Sequence, residues 1–70
     1  MAKVEAHITG TVVKIERKIG EAIQAGETLL VLESMKMEMA LEAPVGGTVL
    51  EIRCAEGQAV SEGDILAIIG

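Results

Sequence analysis

Moving the sequence along itself by 37 residues lays Val4–Glu33 on Leu41–Gly70 and makes ten of the thirty aligned pairs identical. The matches are Glu5 with Glu42, Ala6 with Ala43, Gly10 with Gly47, Thr11 with Thr48, Val12 with Val49, Ile15 with Ile52, Gly20 with Gly57, Ala22 with Ala59, Gly26 with Gly63 and Leu29 with Leu66. Others keep their character, such as Ile23 with Val60, Glu27 with Asp64 and Val31 with Ile68. The three glycine pairs matter most, because glycine marks places where the backbone takes positive φ or passes close to another segment. Two copies of one backbone unit therefore fill the chain.

Each copy opens with a short strand, around Lys3–His7 and Met37–Ala43, whose alternation of apolar and polar residues has the period of a half-covered strand. Turns follow at Ile8-Thr9-Gly10 and Pro44-Val45-Gly46-Gly47, the second holding the only proline where it interrupts no ladder. Strands are then expected at Thr11–Arg17 and Thr48–Cys54. The segments Gly20–Glu27 and Gly57–Asp64 each carry one branched residue midway between two glycines, the pattern of a brief strand between turns. Final strands lie at Thr28–Glu33 and Ile65–Ile69. Helix is disfavoured, since the only helix-like stretches are interrupted by their own glycines.

Eight short strands with turns at intervals of roughly 8–12 residues predict an all-β sandwich or barrel, organised as a single domain over residues 1–70. Neither copy can bury an apolar face alone, so the two are expected to pack about a pseudo-twofold axis, with Val12, Ile15, Ile23, Leu29 and Val31 against Val49, Ile52, Val60, Leu66 and Ile68. Half of the residues are apolar and none is aromatic. Small branched side chains suit thin, closely spaced layers.

Between the copies lies Glu33-Ser34-Met35-Lys36-Met37-Glu38. Two strands meet there at a lysine, whose long stem projects from a rigid base into water. The single cysteine, Cys54, forms no internal disulfide and reads as a small packed thiol. His7 has no partner for a metal pair. A net charge of −5, with six basic residues scattered among eleven acidic ones, argues against nucleic acid and against an anionic membrane surface, and favours a soluble monomer. The start Met1-Ala2-Lys3 lacks a secretory apolar region, and no apolar run reaches membrane-span length. An intracellular, cytoplasmic location is expected.

The Met35-Lys36-Met37 segment, placed at the joint of a glycine-marked repeat, resembles the attachment site of the biotinyl domains, the biotin carboxyl carriers of biotin-dependent carboxylases such as acetyl-CoA carboxylase. The stretches Gly10-Thr11-Val12 and Ala43-Pro44-Val45-Gly46-Gly47-Thr48-Val49 resemble the family's glycine turns. The likeness implies a flattened barrel of two four-stranded antiparallel sheets, with the modified lysine on the hairpin joining the halves and the termini at the opposite end. Ala6-His7-Ile8-Thr9 departs from the family's proline-bearing first turn, and equal spacing of the halves leaves no room for the thumb loop of some carriers.

What the resemblance implies chemically is covalent biotin on Lys36, with Met35 and Met37 as flanking residues and Glu33, Ser34 and Glu38 in the recognition segment. A lysine in water is overwhelmingly protonated at neutral pH, so an enzyme must activate the reaction. The implied one is a biotin protein ligase, which makes biotinyl-adenylate from biotin and ATP. A biotin carboxylase and a carboxyltransferase are then the partners, and the chain itself is expected to be non-catalytic. The methionines have two open roles, capping the hairpin against the sheet or offering a soft surface to partners. Two alternatives share the fold: a lipoyl carrier of a 2-oxo acid dehydrogenase or glycine-cleavage system, whose usual aspartate and alanine neighbours are absent here, and an unmodified interaction module.

Overall fold

The computed structural model describes residues 1–70 and contains eight strands and no helix. They are β1 (Ala2–Glu5), β2 (Gly10–Ile15), β3 (Ala22–Ile23), β4 (Thr28–Ser34), β5 (Met37–Glu42), β6 (Gly47–Ile52), β7 (Ala59–Val60) and β8 (Ile65–Ile69). Two four-stranded antiparallel sheets form, in the orders β1-β8-β6-β3 and β5-β4-β2-β7. Exchanging each strand for its repeat mate turns one order into the other. Each sheet thus takes two strands from each copy, and the copies interlock instead of lying side by side.

Backbone hydrogen bonds recur at the same offset. Ala6 N–H donates to Asp64 O at 2.9 Å and Ala43 N–H to Glu27 O at 2.9 Å; Gly20 N–H donates to Val49 O at 2.8 Å and Gly57 N–H to Val12 O at 2.7 Å. The first pair shows that the proline-free first turn is anchored like the second. The acidic or amide residue kept at each turn now has a reason. Glu27 and Asp64 carboxylates accept from Gln24 N–H and Ser61 N–H, and the Glu21 and Gln58 side chains accept from Lys18 N–H and Ala55 N–H. Each satisfies a backbone donor three residues earlier that the turn would otherwise leave unpaired.

Between the sheets lies a core of fourteen residues, all Val, Ile, Leu or Ala, and no polar side chain is buried. Val12, Ile23, Leu29, Val49, Val60 and Leu66 are in it, with Ile15 and Ile52 packed at its margin. Val31 is only half-buried, and Ile68, though buried at 4% exposure, lies outside this cluster. The pairing skips Leu29 between Thr28↔Glu42 and Leu30↔Leu41, and skips Leu66 between Val4↔Ala67 and Glu5↔Ile65. These matched β-bulges shift the inside–outside phase, so Leu30, Leu32, Ala67 and Ile69 join the core, while Val31 is left half-buried and Ile68 is buried outside that cluster. Strands β2 and β6 end at Ile15 and Ile52, two residues short of the expected limit, where the backbone passes into the turns held by Glu21 and Gln58.

Leu29 and Leu66 are 0% and 1% exposed and occupy equivalent places in the shared core. Replacing either with alanine leaves a cavity and is expected to destabilise the chain by about 3 kcal/mol. Urea denaturation of Leu29→Ala and Leu66→Ala, with similar midpoint losses in both, checks that the core belongs equally to the two copies.

Candidate functional site

The β4–β5 hairpin is a ladder of six pairs: Thr28↔Glu42, Leu30↔Leu41, Val31↔Ala40, Leu32↔Met39, Glu33↔Glu38 and Ser34↔Met37. Only Met35 and Lys36 lie beyond the last pair, so the loop has two residues. Their φ angles are +54° and +66°. Both are in the left-handed region, as a type I′ turn requires, and that turn matches the twist of the strands it joins. Such turns prefer Asn-Gly or Asp-Gly, and an L-residue with a Cβ pays roughly 1–2 kcal/mol to sit there. Apart from these two, every positive-φ residue in the chain is glycine. The sequence signals a hairpin through the lengths of its flanking strands, but Met-Lys carries no sign of the turn type.

Along β5 the burial falls toward the tip. Leu41 is buried, Met39 half-buried and Met37 64% exposed, all on the core-side face, while Met35 in the turn is 92% exposed. The methionines therefore do not cap the sheet: Met35 and Met37 are left in solvent on either side of Lys36. Ser34 is half-buried beside the start of β2. Glu33 and Glu38 are exposed and stand directly opposite each other on the outer face, a like-charge arrangement that costs rather than adds stability.

Lys36 is exposed and makes neither an ion pair nor a hydrogen bond. The ion pairs of the chain, Lys14–Glu16, Arg17–Glu27 and Arg53–Glu51, all lie elsewhere. No cavity opens beside the amine. Glu33, Ser34, Met35, Lys36, Met37 and Glu38 are thus brought together by the hairpin, of which His7, between β1 and β2, and Cys54, after β6, are not part. Cys54 is half-buried, with Sγ 3.8 Å from the Leu66 carbonyl oxygen, and burial pushes its thiol above the usual range.

Two outcomes follow from this geometry. Lys36→Gly relieves the left-handed strain and is expected to raise stability by about 0.5–1 kcal/mol in urea denaturation while removing the amine; a lowered midpoint contradicts the turn assignment. Raising the thiol pKa lowers the thiolate fraction, so Cys54 should react with iodoacetamide at pH 8 more slowly in the folded chain than in urea, with its pH–rate curve displaced upward.

A profile of the biotin/lipoyl family, described as biotin-requiring enzymes, matches residues 1–69. The 1.3S subunit of methylmalonyl-CoA carboxyltransferase from Propionibacterium freudenreichii subsp. shermanii is 53% identical over 36 residues, 51% of this chain and 29% of that protein. Among solved structures, the urea carboxylase of Kluyveromyces lactis superposes with a TM-score of 0.93 and 30% identity, over 99% of this chain and 6% of its own. A single-chain, multi-domain long-chain acyl-CoA carboxylase gives 0.88 and 36% identity, over 94% of this chain and 7% of its own. The lipoyl domain of the 2-oxoglutarate dehydrogenase complex from Azotobacter vinelandii gives 0.76 and 32%, over 89% of this chain and 78% of that one. The chain thus spans less than a third of the 1.3S subunit and a small fraction of either carboxylase. A family match that leaves out only Gly70 takes in both sheets and the hairpin between the copies: the chain belongs to the biotin/lipoyl family of biotin-requiring enzymes and is a biotin carrier domain within it.

Proposed function

We propose that Lys36 is the residue that bears biotin, and that the chain carries carboxyl groups between a biotin carboxylase and a carboxyltransferase. The observation that supports this most directly is the unpaired Lys36 amine, held on a strained two-residue turn between exposed methionines. The names of the 1.3S subunit and of the two carboxylases agree with such a role. In this reading residues 1–70 act as one biotinyl domain, monomeric, intracellular and without a catalytic group of its own.

Amide formation at Nζ requires the ammonium to lose a proton, and no carboxylate of this chain lies within ion-pair distance to take it. The base and the activated acyl donor therefore belong to a biotin protein ligase. What the domain supplies is presentation: a rigid ladder up to Ser34↔Met37, then a single amine beyond it. Acylation removes the lysine's charge, leaving the exposed Met35 and Met37 as the apolar neighbours of a neutral tether. Biotin, when bound, supplies a ureido nitrogen that takes up and releases a carboxyl group. Tethering raises the effective concentration at two successive active sites without any new contact.

Intact mass after incubation with biotin, ATP and biotin protein ligase is expected to show one biotinyl increment, absent in Lys36→Arg. A lipoyl increment under lipoylating conditions, with none from biotin, would instead place the chain with the Azotobacter lipoyl domain. Met35→Asp combined with Met37→Ala is expected to slow biotinylation. Unchanged loading of that double variant would remove the methionines from recognition.

A further inference from the structure

We infer that Gly10 is a positioning residue for acylation of Lys36, acting through the backbone at the root of the hairpin; the inference rests on Lys36 being the acceptor. The glycines of the chain differ in what they are for. Gly20, Gly26, Gly57 and Gly63 have φ near +90°, and a Cβ added to any of them meets nothing within 4 Å. Their requirement is conformational. Gly10 is not in the left-handed region, yet a Cβ there would stand 2.3 Å from the Glu33 carbonyl oxygen and 3.5 Å from Ser34 Cβ. Its requirement is space.

The place of that contact gives it a consequence. Thr11↔Glu33 is the last rung joining β2 to β4, and Ser34 to Met37 overhang beyond it. Gly10 is seated against the chain at the point where the hairpin leaves the barrel. Neither side yields easily. The atom struck is backbone, while Gly10 is itself paired with Val60, and the neighbouring Thr9 hydroxyl accepts a hydrogen bond from Glu62 N–H at 3.1 Å. A methyl group at position 10 therefore needs about 1 Å of movement at Glu33 to reach van der Waals distance. The overhang passes that displacement to the lysine three residues on. Misplacing a rigid reacting group by about 1 Å costs on the order of 100-fold; the flexible lysine stem absorbs part, leaving about tenfold.

The test compares Gly10→Ala with wild type and with Ile52→Ala, which loosens the margin of the other sheet without touching the hairpin. Biotin protein ligase is assayed with biotin and ATP at a temperature where all three are folded. Expected is a roughly tenfold fall in kcat/KM for Gly10→Ala and none for Ile52→Ala. Reaction of Lys36 with a small N-hydroxysuccinimide ester should be unchanged in both, because the amine stays free. Folded Gly10→Ala that is acylated at the wild-type rate overturns the inference.

Should Gly10→Ala not fold, a second variant keeps Gly10 and inserts two threonines into each hairpin strand, between Glu33 and Ser34 and between Met37 and Glu38. This preserves facing and lifts the turn about 6–7 Å off its support. A fall in enzymatic but not chemical acylation supports the inference, and a wild-type rate refutes it. Wild-type chain that takes no biotin at Lys36 would strike at the acceptor assignment instead; the ratio of Gly10→Ala to wild type bears on Gly10, and that of the insertion variant on the support of the hairpin at its root.

Discussion

Neither copy of the repeat can close a core by itself, and that limit governs the architecture. Each sheet is made of two strands from one copy and two from the other, so the apolar residues of both are covered only when the copies interlock. A chain of this length buries only about 60% of its extended surface, and it has no disulfide or aromatic side chain in reserve. Interlocking compensates. It gives eight of the sixteen backbone hydrogen bonds outside the strands a partner in the other copy, as in Ala6 to Asp64 and Gly20 to Val49. The hairpin between β4 and β5 is the covalent joint of this arrangement, which is why it stands at an end of the barrel and not along its side.

Most of the fold could be read from the repeat, because shared glycines and shared acceptors mark where each backbone turns. Eight strands and their order along the chain follow from it, as does the solvent-facing hairpin with Lys36 at its tip. The misplacement of Val31 shows where such reading stops. Alternation assigns it inward, but the bulge at Leu29 reverses the phase, and a bulge is a choice made by pairing with a partner strand that leaves no distinctive residue behind. The left-handed turn was equally hidden. Nothing in Met-Lys favours positive φ; the conformation is imposed by two strands already in register.

That imposition bears on function. A glycine or asparagine at position 36 would suit the turn better and would have no amine to offer. The chain thus holds the lysine proposed as the acceptor where the backbone is least comfortable, and the rest of a rigid barrel enforces the geometry. The exposed methionines and the unrelieved Glu33–Glu38 opposition fit the same pattern, since each leaves at the tip something that stability alone would remove.

The pairing of Ala2 with Ile69 brings the two chain ends together at the pole remote from Lys36, across a body 31 Å long and 17 Å wide. Any polypeptide spliced to either end would depart from that pole while the lysine faced the other way. The barrel would then behave as a stiff boom, and a modest swing at its base would sweep the amine through an arc of some 30 Å radius before the side chain itself had moved.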